Sequence, residues 1–152
     1  MAMLTLRPPN QDEAAVLTDL CMRAKAGWGY DEVFMAACRS ELTLTQSALS
    51  HANIQVAESN GRVVGLVEVK VSDKVAVLEK LFVEPSAQRL GIGRILFDWA
   101  KAKAICFGAR TLIIESDPQA AHFYRCVGAA DDGNVASETI AGRYIPRLKL
   151  RL

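Results

Sequence analysis

The chain has 152 residues, 51% of them hydrophobic and 23% charged, with a formal net charge of +1, which describes one globular domain of ordinary polarity spanning 1–152. A near-neutral balance without a basic cluster speaks against a nucleic-acid or membrane-surface binder driven by bulk charge. The stretch from Met1 to Leu17 has no basic segment ahead of an apolar signal core, and no apolar run approaches the ~20 residues of a membrane-spanning helix.

Cys21, Cys38, Cys106 and Cys126 are scattered and lack metal-ligand spacing. They read as reduced thiols in a cytoplasmic protein, most of them acting as small buried apolar groups, and no metal is expected.

In chain order, MLTLRPP reads as a short strand stopped by Pro8 and Pro9. Asn10 then opens a helix whose apolar positions are Ala14, Leu17, Leu20 and Cys21, with Gly27 as its stop. The segment from Trp28 to Asn53 reads as one or two short helices joined by polar turns. After it the period changes. IQVAES and RVVGLVEVKV are strand-like runs flanking Asn60-Gly61, a hairpin signal. VAVLEKLFV, Val75 to Val83, follows as a third strand with both faces mainly apolar, so it is expected at the centre of a sheet covered on each side. On simple alternation, Glu79 shares a face with Val75, Val77, Leu81 and Val83.

A helix with Ile92, Ile95, Leu96 and Trp99 on one face runs to Gly108. TLIIES is a short buried strand, and DPQAAHFYRCVG is a helix with Asp117 at the N-cap, Pro118 at its first position and Gly128 at its stop. The tail alternates Leu148, Leu150 and Leu152 with charge, as a half-exposed strand does. The pattern predicts one α/β domain with a mixed central β-sheet flanked by helices.

Gly91 and Gly93 stand where a helix must start, in QRLGIG. Helix N-termini present unpaired amides and about half a positive charge, and glycines let an anion reach that backbone without meeting a Cβ. The strand–loop–helix context is that of a pyrophosphate cradle. No Lys-Ser/Thr pair follows, which excludes a Walker A loop, and Leu96 stands where a dinucleotide fingerprint needs its third glycine.

LFVEPSAQRLGIGRILFDWA resembles the coenzyme A-binding motif of the GCN5-related N-acetyltransferase (GNAT) superfamily, Gln/Arg-x-x-Gly-x-Gly/Ala, through Gln88, Gly91 and Gly93. DPQAAHFYRCVGA resembles the second family motif, Asn-x-x-Ala-x-x-Phe-Tyr followed by glycine. The order of elements is similar too, so the resemblance spans the whole domain.

The resemblance implies a GNAT-like fold and transfer of an acetyl group from acetyl-CoA to an amine within one complex, without a metal. It implies that backbone groups of Leu81, Phe82 and Val83 pair with the pantetheine arm. Amides of Gln88, Arg89, Leu90, Gly91, Ile92, Gly93 and Arg94 would hold the pyrophosphate, with the second motif, at Asp117, Ala120 and Tyr124, alongside the arm. Asp117 departs from the family's Asn, since a carboxylate cannot donate the amide hydrogen bond. Dimers are common in the superfamily, so the resemblance leaves room for a homodimer. A non-catalytic acyl-CoA sensor built on the same cradle is the competing reading.

The chemistry needs an unprotonated amine, although an alkylammonium has a pKa of ~10.4, together with an acid for the departing thiolate. The resemblance implies that the amide near the end of the central strand, at Phe82 or Val83, faces the thioester oxygen. Tyr124 is the candidate acid, because a phenol of pKa ~10 stays protonated at neutral pH. Glu79 is the candidate base, directly or through a water, on the expectation that burial in its apolar row raises its pKa. Phe123 reads as core. His122, about 200° round the helix from Tyr124, reads as a surface or packing residue.

The acceptor, a small-molecule or peptide amine, is addressed by two clues that disagree. Trp28 and Tyr30 stand beside Asp31 and Glu32, which suits a cationic amine. Arg143, ahead of the last strand, suits an acidic acceptor or a pairing with a neighbouring chain.

Overall fold

The computed structural model describes residues 3–152, and Met1 and Ala2, part of the N-terminal stretch read above for a leader, lie outside them. Strand β1 (Leu4–Arg7) ends at the two prolines, and a 3-10 turn (Gln11–Glu13) leads into α1 (Ala14–Ala26). The Glu13 carboxylate accepts from the Asn10 amide at 2.7 Å and from Arg7 at 2.8 Å, which satisfies a free donor at the helix entry. Helices α2 (Glu32–Leu42) and α3 (Gln46–His51) occupy the stretch where one or two were expected. Asp31 caps the first, accepting from the Phe34 amide at 2.8 Å, and Thr45 caps the second, accepting from Ala48 at 3.1 Å.

Strands β2 (Asn53–Ser59) and β3 (Arg62–Ser72) form the hairpin, with Asn60 at φ 53° and Gly61 at φ 75°, the left-handed pair that a tight turn requires. β4 (Val75–Val83) follows, then α4 (Ile92–Cys106), β5 (Thr111–Glu115), α5 (Ala121–Cys126), β6 (Ala130–Ala136) and β7 (Tyr144–Arg151). The strands form one sheet in the order β1-β2-β3-β4-β5-β7-β6, parallel at β4–β5 and antiparallel elsewhere. One core, around Leu17, Leu20, Leu42, Val56 and Leu66, lies under α1, α2 and α3. The other, around Leu96, Phe97, Leu112, Ile114 and Leu148, lies under α4 and α5. The central β4 is covered on both faces, as its composition predicted.

Gly65 on β3 lets α4 approach the sheet. A Cβ there would stand 2.9 Å from Leu96 Cδ1 and 3.1 Å from the Phe82 carbonyl oxygen. Leu96 is fully buried and has little room to yield. Gly65→Ala is therefore expected to lower unfolding stability by about 1–3 kcal/mol, measured by urea titration at an unchanged m-value.

Two expectations are corrected. The tyrosine-bearing helix α5 starts at Ala121, later than Pro118, because Asp117 is spent on a turn: its Oδ1 accepts from the Gln119 amide at 2.8 Å and its carbonyl from the Ala120 amide at 2.9 Å. The second concerns β4. Glu68 faces Lys80 while the next residue, Val69, faces Leu78, so Glu79 is the extra residue of a β-bulge. The bulge resets the alternation. Ala76 and Leu78 join Leu81 and Val83 on the α4 side, and Phe82 turns to the other core. Glu79 is thereby exposed instead of buried in an apolar row. The buried carboxylate of the sheet is Glu68, 5% exposed, with Lys80 at 3.4 Å.

The functional consequence of this topology is a gap. Pairing of β4 with β5 ends at Leu78↔Ile114, and β5 itself ends at Glu115, yet β4 runs on to Val83 while still paired with β3. Among the described residues, no strand lies beside one edge of β4 from Glu79 to Val83. The amides and carbonyls of that edge are offered to whatever extended chain enters the gap.

Candidate active site

Two cavities meet in this gap. The first, about 460 Å³, runs from the free edge of β4 to the start of α4. The second, about 410 Å³, opens on the other side among the ends of β4 and β5 and residues 136–138. Trp28, Leu81, Ala120 and Tyr124 line both and mark the junction.

At the far end of the first cavity lies the loop that enters α4. Arg89 at φ 65° and Gly91 at φ 81° are left-handed, which turns amides of the loop towards one side. The helix ladder begins with the Ile95 amide on the Gly91 carbonyl at 3.2 Å. Among the described residues, the amides from Arg89 to Arg94 have no backbone carbonyl as partner. Free amides of this loop and the positive end of a 15-residue helix thus lie together at one end of the cavity. Arg89 and Arg94 are exposed and take part in no ion pair among the described residues. Gly93 is half-buried, and a Cβ on it would meet the Phe123 ring at 3.5 Å.

Of the residues expected at the cofactor, Leu81, Val83, Gln88, Arg89, Gly91, Ile92, Gly93, Arg94, Ala120 and Tyr124 line the first cavity. Phe82 faces the second, and Leu90 is 71% exposed at the crest of the loop. Asp117 lies outside the first cavity. Its carboxylate, on the wall of the second, is taken up by the protein itself, accepting from the Tyr30 hydroxyl at 2.7 Å and from Arg143 at 3.5 Å. Ala87, Gln119 and Phe123 also line the first cavity and were not foreseen there. Phe123, read as core, packs against the core and walls the cleft at once. The family-like Phe-Tyr pair carried that information, because consecutive helical residues span two adjoining surfaces.

Tyr124 is 6% exposed, held edge-on by Phe123 at 5.2 Å and tilted against Phe97 at 5.9 Å. Burial pushes its phenol above the ordinary tyrosine value, and no charge or hydrogen bond contributes. Glu79 lines the second cavity, exposed on its bulge. His122 is exposed on the opposite side of α5, with Nε2 3.4 Å from the Cys126 sulfur. Cys21 and Cys38 are buried and Cys106 and Cys126 exposed, so half of the thiols depart from the expectation of burial.

Among the acceptor candidates only Trp28 lines the second cavity. Tyr30 and Arg143 meet each other, with the Arg143 Nη2 donating to the Tyr30 hydroxyl at 2.9 Å. Burial first, and then the Asp117 carboxylate, raise the Tyr30 hydroxyl above its usual pKa. Asp31 and Glu32 sit at the start of α2 as cap and first-turn acid. Among the described residues no helix is long and apolar enough to cross a membrane.

The comparisons with known proteins agree with this architecture. A GNAT-family protein of Rhodopseudomonas palustris, described as an aminotransferase of class II, superposes with a TM-score of 0.84 at 22% identity, over 100% of this chain and 98% of that one. The PaiA N-acetyltransferase of Thermoplasma acidophilum, solved with coenzyme A, gives 0.80 at 14% identity over 99% of both chains. The yncA protein of Salmonella typhimurium, solved with acetyl-CoA, gives 0.70 at 18% identity over 98% of this chain and 94% of that one. At these identities the likeness is one of fold. No curated protein sequence matches the chain. The family model for the acetyltransferase (GNAT) family matches residues 16–129, well over half of the sequence. The chain belongs to the acetyltransferase (GNAT) family and is, with it, an acyltransferase.

Proposed function

We propose that the protein transfers an acetyl group from acetyl-CoA to a primary amine by direct attack, with both substrates bound at once. The observation that carries this reading is the line formed by the unpartnered amides of residues 89–94, the free edge of β4 and the Tyr124 junction. A diphosphate, an extended amide-bearing arm and a thioester follow one another in the same order along coenzyme A. Superposable proteins solved with coenzyme A and with acetyl-CoA support the choice of ligand.

In this reading the loop amides hold the diphosphate, helped by the dipole of α4. Leu81 and Val83 pair with the arm as a missing strand would. The amide at the end of β4, at Phe82 or Val83, donates to the thioester oxygen as negative charge builds there. The amine enters from the second cavity, where Trp28 flanks it. Its nitrogen bonds to the acyl carbon, the carbon–sulfur bond breaks, and Tyr124 gives its proton to the departing sulfur. The proton released by the amine passes to water in the second cavity, which Glu79 lines, and solvent exchange restores the phenol. The products are an amide and the free thiol of coenzyme A.

Thiol release from acetyl-CoA, followed against a panel of small amines and peptide N-termini with mass detection of product, tests this. Amine-dependent release is expected. Acetyl-CoA at a hundred times Kd is expected to raise unfolding stability by about 2.7 kcal/mol if it binds only the folded state. Stabilisation without release on any amine would show a sensor, and no stabilisation would remove coenzyme A from the site.

A further inference from the structure

Asp117 is the point where the sequence departs from the pattern it resembles, and the structure gives that departure a purpose. Its carboxylate is only 6% exposed. Oδ2 is shared by the Tyr30 hydroxyl at 2.7 Å, Arg143 Nη2 at 3.5 Å and Lys25 Nζ at 3.9 Å, while Oδ1 accepts the Gln119 amide. These three partners come from elements far apart in sequence. Lys25 is near the end of α1, Tyr30 is in the connection to α2, and Arg143 lies in the loop between β6 and β7. Their side chains are themselves largely covered, Lys25 at 11% and Arg143 at 19% exposure. The Arg143 guanidinium also lies 4.8 Å from the centre of the Phe34 ring and 5.3 Å from that of Tyr30, and those two rings stack at 4.0 Å. An arginine so engaged is spent, as are Tyr30, Asp31 and Glu32, so neither charge clue in the sequence reaches the second cavity. Arg143 anchors a loop and leaves recognition of the acceptor to other groups.

We propose that Asp117 is a positioning residue, latching the loop at 137–143 and the loop at 27–31 to the root of α5 and so fixing the wall of the acceptor cavity. The proposal rests on the acetyltransferase reading of that cavity. An asparagine would keep a hydrogen-bond acceptor for Tyr30, yet it would leave two covered cations without a counter-ion. The connection to the site is short. The Ser137 amide donates to the Arg143 carbonyl at 2.8 Å, so the anchor of Arg143 sets the place of Ser137 and Glu138, which line the second cavity. Thr139 holds the same loop to Glu41 of α2. On the other side, the Asp117 carbonyl accepts from Ser116 Oγ at 2.7 Å, fixing the chain that leads to Tyr124. None of Asp117, Tyr30 and Arg143 lines the first cavity.

Asp117→Asn is therefore expected to raise KM for the amine about tenfold or more while Kd for acetyl-CoA stays within about twofold. In the ligand-free protein, hydrogen exchange at the amides of Thr139, Ile140 and Arg143 is expected to quicken about tenfold. Arg143→Gln should reproduce both effects and Arg143→Lys should recover part of them, since lysine keeps the charge without the planar stacking. Tyr30→Phe, which removes one hydroxyl and disturbs folding least, should shift KM and exchange in the same direction by about threefold. A fall in acetyl-CoA affinity that parallels KM would overturn the latch and return Asp117 to the pantetheine. Lower thermal stability with unchanged KM and unchanged exchange would overturn it as well. If the wild-type protein acetylates no amine, the function fails, but the exchange comparison still decides the latch.

Discussion

Tyr124→Phe lowers kcat for amine acetylation by about 10²-fold or more, with Kd for acetyl-CoA nearly unchanged. The ring stays, and with it the contacts to Phe123 and Phe97, so the substitution removes little besides one proton donor at the junction of the two cavities. The pH dependence carries an independent signature. The acid must be protonated to act, and burial raises its pKa above the ordinary ~10. The protonated form therefore persists as pH rises. The wild-type rate should climb as the amine loses its proton and should not decline on the alkaline side below about pH 10. In Tyr124→Phe, kcat should become sensitive to the acidity of the leaving thiol, which thioester analogues with more acidic thiols would reveal as partial rescue. A phenylalanine variant with wild-type kcat would assign proton delivery to another group or to water.

Gly93→Asp weakens acetyl-CoA binding by about 10³-fold while leaving the fold intact or slightly firmer. A carboxylate at the second position of α4 suits the helix dipole, and replacing glycine there removes a backbone entropy cost, each contributing about 0.5–1 kcal/mol. The same charge stands in the wall of the first cavity, within the run of free amides at residues 89–94. At ~4 Å and an effective dielectric of ~20, repulsion between unit charges is about 4 kcal/mol, which is a factor of about 10³ in Kd. Opposite signs in stability and affinity separate this result from damage to the loop. Gly93→Ala is the control. Its Cβ meets only ring and methyl carbons at ordinary contact distance, 3.5 to 3.8 Å, so Kd should change less than about tenfold. Calorimetric titration and thermal unfolding read both quantities. Equal affinity in the aspartate variant would mean that no anion sits at the mouth of α4.

Much of this molecule is written in local pattern. The order of strands and helices, the Asn60-Gly61 hairpin, the caps at Asp31 and Thr45 and the glycine-marked entry to α4 each depend on a few neighbouring residues whose backbone preferences act alone. The two motifs with their glycines marked the entry to α4 and the helix that carries Tyr124 for the same reason, because helix ends and turns are decided within one or two turns of chain.

What the sequence by itself could not decide were relations between distant segments. The bulge that exposes Glu79 exists because β3 and β4 disagree by one residue in register, and a single strand carries no trace of its partner's register. The engagement of Asp117 with Tyr30, Lys25 and Arg143 reaches across 87 positions of the chain to Tyr30 and 26 to Arg143, and only the closed fold brings those groups within reach. The parting of β4 from β5 after Leu78 is likewise a property of the assembled sheet, and it opens the cleft that runs to the start of α4. Local rules choose the elements. Pairing and burial of charge choose what those elements present to a substrate.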